Sequence, residues 1–174
     1  MNAIKYVLLG KWLGHPLHPA IVHVPIALWV GACIFDIMNL GGLGGNSLVR
    51  TSFWSILLGL VATLVVVPAG FAEWSEIKRE KPAWKLALWH MILNVITMLI
   101  FVASLALRWG DAYDMNKVPM GAAVLCFVAT AVLGVSGYLG GRMVYEHGIG
   151  IGRESKTEYR ALAAKAGANL PAKD

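Results

Sequence analysis

Five histidines, His15, His18, His23, His90 and His147, are the side chains of this sequence best suited to chemistry, and Glu73 and Glu146 are the carboxylates that could join them. Imidazole is the commonest protein metal ligand, and it also moves protons near neutral pH. Histidine and carboxylate together suit Zn or non-haem Fe. Two imidazoles on separate helices suit a metal held between those helices. His23 and His90 fit that second pattern, because each interrupts an apolar run where an ionisable group is costly and needs a reason to be there.

The elements that carry them follow from composition. Hydrophobic residues make up 57% of the 174 residues and charged residues 14%, against roughly 25% charged in a soluble domain. So few charges cannot cover a water-soluble globule, and the chain reads as an integral membrane protein. With two cysteines and no repeat period, a disulfide scaffold or a collagen-like chain is excluded. Apolar stretches at about Pro19–Leu40, Ser52–Ala72, Trp84–Arg108 and Val118–Gly140 reach the length of about 18 residues or more that a spanning helix requires. A Gly-rich turn, a charged loop and a short polar loop join them, so neighbouring spans run antiparallel. The expected fold is an all-α, four-transmembrane-helix up-and-down bundle over residues 1–152, followed by a polar, solvated tail over residues 153–174.

Four spans place both termini and the loop Glu73–Pro82 on one side. That side carries twelve lysines and arginines; Arg50, Arg108 and Lys117 are left for the other. The asymmetry predicts cytoplasmic termini in a multi-pass protein of a bacterial inner membrane. It also accounts for the net charge of +5 without any nucleic acid. Val30-Gly31-Ala32-Cys33 has the look of a weak lipobox, but His23 and Pro25 interrupt the run before it, so the first span is read as uncleaved. Cys33 and Cys126 read as small core residues, and Asp36 as an interfacial carboxylate near the outer end of the first span.

At ~1.5 Å per residue, His23 lies about 6 Å into the first span and His90 about 9 Å into the third. From His90, helical spacing leads through Asn94, Thr97, Phe101 and Ser104, a polar stripe expected to face the interior. From His23 it leads through Ala27, Gly31 and Ile34. Glycines in the inner halves of spans two and four leave room for a flat macrocycle, though close helix packing explains them equally well. The expected cofactor is a haem b with His23 and His90 as axial ligands, and Arg79 and Arg142 are candidates to pair with its propionates. Covalent attachment is excluded, because no Cys-x-x-Cys-His occurs. The bland alternative is that both imidazoles only satisfy backbone carbonyls in the core.

In Gly14-His15-Pro16-Leu17-His18-Pro19, the proline at residue 19 suits a first helical turn, and His18 reads as no more than a cap-like residue. The sharper reading gathers His15, His18, His23, Glu73, Glu146 and His147 into a second, non-haem metal site at the membrane surface. Pairing of the two glutamates with Lys78, Arg79 or Arg142 is its bland counterpart.

The segments Gly14–Pro19, His23-Val24-Pro25-Ile26-Ala27 and Gly140-Gly141-Arg142-Met143-Val144-Tyr145-Glu146-His147-Gly148 together resemble a bacterial membrane family, domain of unknown function 2231, over about residues 12 to 152. The resemblance implies a four-span protein. It also implies redox work, since related domains occur joined to Rieske-type or cytochrome c domains. Here the electron partner is expected to be a separate protein.

The expected function is a b-type cytochrome-like electron-transfer component rather than a stand-alone enzyme. Its partners would be membrane lipid, a quinone and a redox protein, and self-association is left open. A non-haem metalloprotein using the His/Glu cluster is the first rival. A structural or assembly subunit of a membrane complex is the second.

Overall fold

The computed structural model describes residues 2–110, 114–151 and 156–168. In chain order these form α1 (Ala3–Leu8), a single 3-10 turn (Lys11–Leu13), α2 (Leu17–Ile21), α3 (His23–Leu40), α4 (Gly45–Trp74), α5 (Pro82–Ala106), α6 (Met120–Tyr145) and α7 (Lys156–Lys165). Four stretches are long and apolar enough to cross a bilayer: Leu17–Leu40, Gly45–Trp74, Pro82–Ala106 and Met120–Tyr145. Hydrocarbon offers no partner for a backbone N–H or C=O, so runs this apolar have to close their hydrogen bonds internally as helices. The chain is an all-α four-helix membrane bundle, with no strand among the described residues. Part of the polar tail is wound into α7.

The boundaries differ from expectation in informative places. The turn between α3 and α4 is tight, because Gly42 and Gly44 take φ of 89° and 65°, a region open to glycine at little cost. Helix α4 therefore starts at Gly45 and not near Ser52. Helix α5 begins on Pro82, whose missing N–H costs nothing in a first turn. It ends at Ala106, so Arg108 leaves the helix and turns back into the bundle. Pro25 cannot donate to the Ile21 carbonyl, and the short α2 is set off from α3 at Val22.

Helix α3 packs mainly on α4 and α5 mainly on α6, and contacts of α3 with α6 and of α4 with α5 close the bundle. The two hairpins are related by an approximate twofold axis along the bundle. Along it, α3 with its α2 extension meets α5 and the turn that follows it through three pairs of residues, each pair 72 positions apart. The His18 and His90 rings lie with planes nearly perpendicular, at 87°, and ring centres 6.5 Å apart. Trp29 and Phe101 stack at 4.5 Å. Arg108 and Asp36 form a two-pronged ion pair at 2.8 and 2.6 Å. The partner helices follow with an offset of 70. Ser52 Oγ donates to the Ala32 carbonyl and Ser104 Oγ to the Ala122 carbonyl, the same positions with donor and acceptor exchanged. Residue types show the repeat only faintly: His18 and Gly70 have like counterparts in His90 and Gly140, but those of Trp29, Ala32 and Asp36 are Phe101, Ser104 and Arg108.

Asp36 is thus fully buried, not interfacial as expected. The reason is its partner: Arg108, itself fully buried, neutralises it and also donates to Ser52 and Ser104. Asn39, one turn on, ties this end shut by donating to the Gly45 and Asn116 carbonyls and accepting from the Val118 N–H.

Candidate functional site

At the opposite end of the axis the same symmetry builds a different environment. His18 Nδ1 bonds the Val66 carbonyl of α4 at 3.0 Å, and His90 Nδ1 bonds the Ser136 carbonyl of α6 at 2.7 Å. Four residues beyond each carbonyl stands a glycine. A Cβ on Gly70 would sit 2.8 Å from His18 Nδ1, and one on Gly140 would sit 3.1 Å from His90 Cε1. Each hairpin therefore uses the same device once: a carbonyl to orient an imidazole, and a glycine one turn later to leave space for the ring.

The hydrogen bonds also settle the tautomer of His90. Asn94 Nδ2 donates to the His90 carbonyl at 2.9 Å and lies 3.0 Å from His90 Nε2. Nε2 therefore carries the lone pair and Nδ1 the proton. Ser136 Oγ donates to the His90 carbonyl at 3.1 Å and lies 3.1 Å from Nδ1, a second acceptor for that proton. In His18, the bond to Val66 makes Nδ1 the donor and leaves Nε2 as the basic nitrogen. An imidazole donating from Nδ1 to a carbonyl is oriented, and made more basic, for binding through Nε2.

Both rings line one cavity of ≈ 120 Å³, walled largely by apolar side chains including Trp29, Met91, Met98, Leu133 and Met143. Val67 and Phe71 of α4 and Val95 of α5 also line it while remaining exposed, so it opens sideways between these helices toward the lipid. Two polar groups stand out in the wall. Trp74 Nε1 is buried with no hydrogen-bond partner among the described residues. Glu73 accepts weakly from the His18 backbone N–H at 3.3 Å. It also lines a hollow of ≈ 330 Å³ on the surface, beside Lys11, Glu76 and Lys81.

His90 and Glu73 line the cavity, and so does His18, expected either as a cap-like residue or as a ligand of the second metal site. His23 is not beside His90; its side chain is exposed, as are Ala27 and Ile34 of the same stripe. The cause is rotational. Asp36 must face Arg108, and His18 precedes it by 18 residues, five full turns at 3.6 residues per turn. His23 precedes it by 13 residues, which turns its side chain to the far face. The spacing between Arg108 and His90 is again 18. A buried Asp36 was the signal that could have set the phase.

The wider cluster is not assembled. His15 is exposed and bonds the adjacent Pro16 carbonyl. Arg142 grips Glu146 in a two-pronged pair at 2.7 Å, which holds that carboxyl below its usual range. Neither Arg142 nor His147 lines the cavity. Arg79 is exposed and lies 5.8 Å above the Trp84 ring, which in turn packs on Trp74. Among the described residues no three His, Cys, Asp or Glu side chains converge to hold a metal ion. Cys126 is buried and Cys33 half-buried, both as free thiols.

No curated protein and no solved structure gives a significant match to the chain. A family model does, over residues 14–153, a range that begins at the Gly14–Pro19 segment and includes both histidines of the cavity. The chain belongs to the DUF2231 family of predicted membrane proteins.

Proposed function

We propose that the protein is an electron-transfer component of the bilayer whose redox group, a haem b, is held between His18 and His90. One observation carries the reading: two imidazoles meet on the bundle axis, each oriented by an Nδ1 bond to a backbone carbonyl. Metal–imidazole bonds of about 2.0–2.1 Å on either side of one ion place two ring centres roughly 6–6.5 Å apart, and these lie 6.5 Å apart. The donor set favours haem over a bare ion. Two protein ligands converge without a third, which suits an iron whose remaining ligands come from a macrocycle. The unpartnered Trp74 Nε1 offers a donor for an acidic edge group, better placed than Arg79 or the engaged Arg142. The enclosed volume takes about one ring, judged by an engineered cavity of ~150 Å³ that binds benzene. A haem would need the opening beside Val67 and Val95 for the rest of its ring.

Bound haem supplies a one-electron couple. His18 and His90 hold it in place; Trp29, Met98 and Leu133 keep water away and help set its potential through burial. The lysine and arginine asymmetry supports cytoplasmic termini in a bacterial inner membrane, with His18 and His90 toward the cytoplasmic face. A quinone or a redox protein then serves as electron partner.

The test is a reduced-minus-oxidised visible spectrum of protein purified in mild detergent, with metal analysis of the same sample. A b-type α band that disappears in His18→Ala or His90→Ala and survives in His23→Ala is the expected result. Full haem in both of the first two variants sinks the reading. Metal without a Soret band moves the function to a non-haem centre, and neither metal nor colour moves it to a structural subunit.

A further inference from the structure

The rotation that turns His23 away from the cavity leaves it in a costly place. The pairs His18–His90, Trp29–Phe101 and Asp36–Arg108 share one offset of 72, so His23 stands level with Val95. That residue lies in the middle of α5, 13 positions after Pro82 and 11 before Ala106. On α4, the contacts of Val66 with His18 and of Ser52 with Ala32 bring Val61 to the same level. Val61 is 16 positions after Gly45 and 13 before Trp74. At ~1.5 Å per residue, His23 is thus at least roughly 16 Å from the ends of both neighbours, about half a hydrocarbon core of ~30 Å. Its side chain is nevertheless exposed, with no hydrogen-bond partner among the described residues. An imidazole facing lipid at that depth strands a donor and an acceptor where the hydrocarbon can bond neither.

The residues around it have the pattern of a contact surface. Ala20, His23, Ala27, Val30, Ile34 and Ile37 are all exposed and recur at alternating steps of three and four, the spacing at which two helices pack along a seam. Alanine one turn to either side of His23 lets two backbones approach closely. A single polar residue in such a seam sets register and partner number. Helix α6 offers a contrasting outer face, where a Cβ on Gly134, Gly137 or Gly141 would meet nothing within 4 Å. Those glycines carry no polar group for lipid to reject, so they call for no partner. His23 does, and a neutral imidazole, with one donor and one acceptor nitrogen, is complementary to another of its kind.

We infer that this face of α2 and α3 is an interface between two copies of the chain, related by a twofold axis along the membrane normal. The two His23 rings meet on that axis, one donating its N–H to the bare nitrogen of the other. The cavity opens between α4 and α5, on other helices, so pairing leaves it accessible from lipid. The test uses the full chain in phosphatidylcholine vesicles, with the dimer fraction read by single-molecule photobleaching as protein is diluted in lipid. Wild type is expected to pair. His23→Leu should weaken pairing by about 3- to 10-fold, the range for loss of one hydrogen bond between membrane helices, and His23→Asn, which keeps a donor and an acceptor, should restore it. With Cys33 and Cys126 replaced by alanine, Ala27→Cys should form a disulfide-linked dimer under oxidation and Gly137→Cys should not. Monomers at every dilution, equal pairing of wild type and His23→Leu, or cross-linking through Gly137→Cys alone overturns the inference. None of these readouts involves haem, so a colourless protein overturns the proposed function and leaves this interface standing.

Discussion

The two ends of the bundle axis were made by the same symmetry and do opposite work. At one end Asp36 meets Arg108, both fully buried, with Ser52 and Ser104 completing the set. At the other end His18 meets His90 beside a cavity open to lipid. Opposite charges in a low dielectric have to be matched tightly or not kept at all, so the first pair closes its end. Neutral imidazoles carry no such penalty. Each spends Nδ1 on a carbonyl; His18 keeps Nε2 for a ligand, whereas His90 Nε2 accepts from Asn94, which a ligand would have to displace. The contrast teaches that equivalent positions become a lock or a site according to whether their groups can satisfy one another.

The strongest way to break this comparison is to remove one charge from the closed end. Asp36→Ala should cost about 3–5 kcal/mol, as stranding a buried charge does, read by thermal unfolding in detergent. The double variant Asp36→Leu with Arg108→Met should recover most of that loss. If the double is as unstable as the single, the pair does more than close the bundle.

The middle layer should respond next. A Cβ on Gly59 would fall 2.3 Å from Trp29 Nε1, which donates to the Ile56 carbonyl. Gly59→Ala should therefore cost about 1–3 kcal/mol through overpacking and should loosen the Trp29–Phe101 stack, visible as a change in tryptophan fluorescence. At the open end, His90→Ala should cost only about 1–2 kcal/mol, the worth of its net hydrogen bonds, and should abolish the b-type spectrum that the proposed haem would give. A stability loss there as large as at Asp36 would erase the distinction between lock and site.

The smallest effect belongs outside the axis. Glu76 pairs with Lys5 at 2.5 Å on the surface, and that lysine holds the Glu76 carboxyl below its ordinary range. A carboxyl lowered on folding contributes its stability above its ordinary value and loses it as pH falls through the lowered one. Glu76→Gln should therefore lower stability by less than about 1 kcal/mol at neutral pH, and the difference should vanish in acid.

The four spans were legible from hydropathy alone, because an apolar run in hydrocarbon has one inexpensive backbone solution. So was the inward stripe of α5, since His90, Asn94, Thr97 and Ser104 are polar and an apolar exterior rejects them. The first span gave no such contrast. His23 and His18 are both histidine near its start, and choosing between them needs the rotation of the helix. That rotation is set by Asp36 reaching Arg108, 72 residues away, and a side chain's remote partner is not written in its neighbours. The surface cluster failed for a related reason, as Glu146 found Arg142 one turn earlier on its own helix. Sequence by itself determined a four-span helical bundle rich in histidine at one end, because membrane insertion responds to summed hydrophobicity. Only the tertiary structure decided that His18 faces His90, because helix phase depends on which buried charges find each other across the bundle.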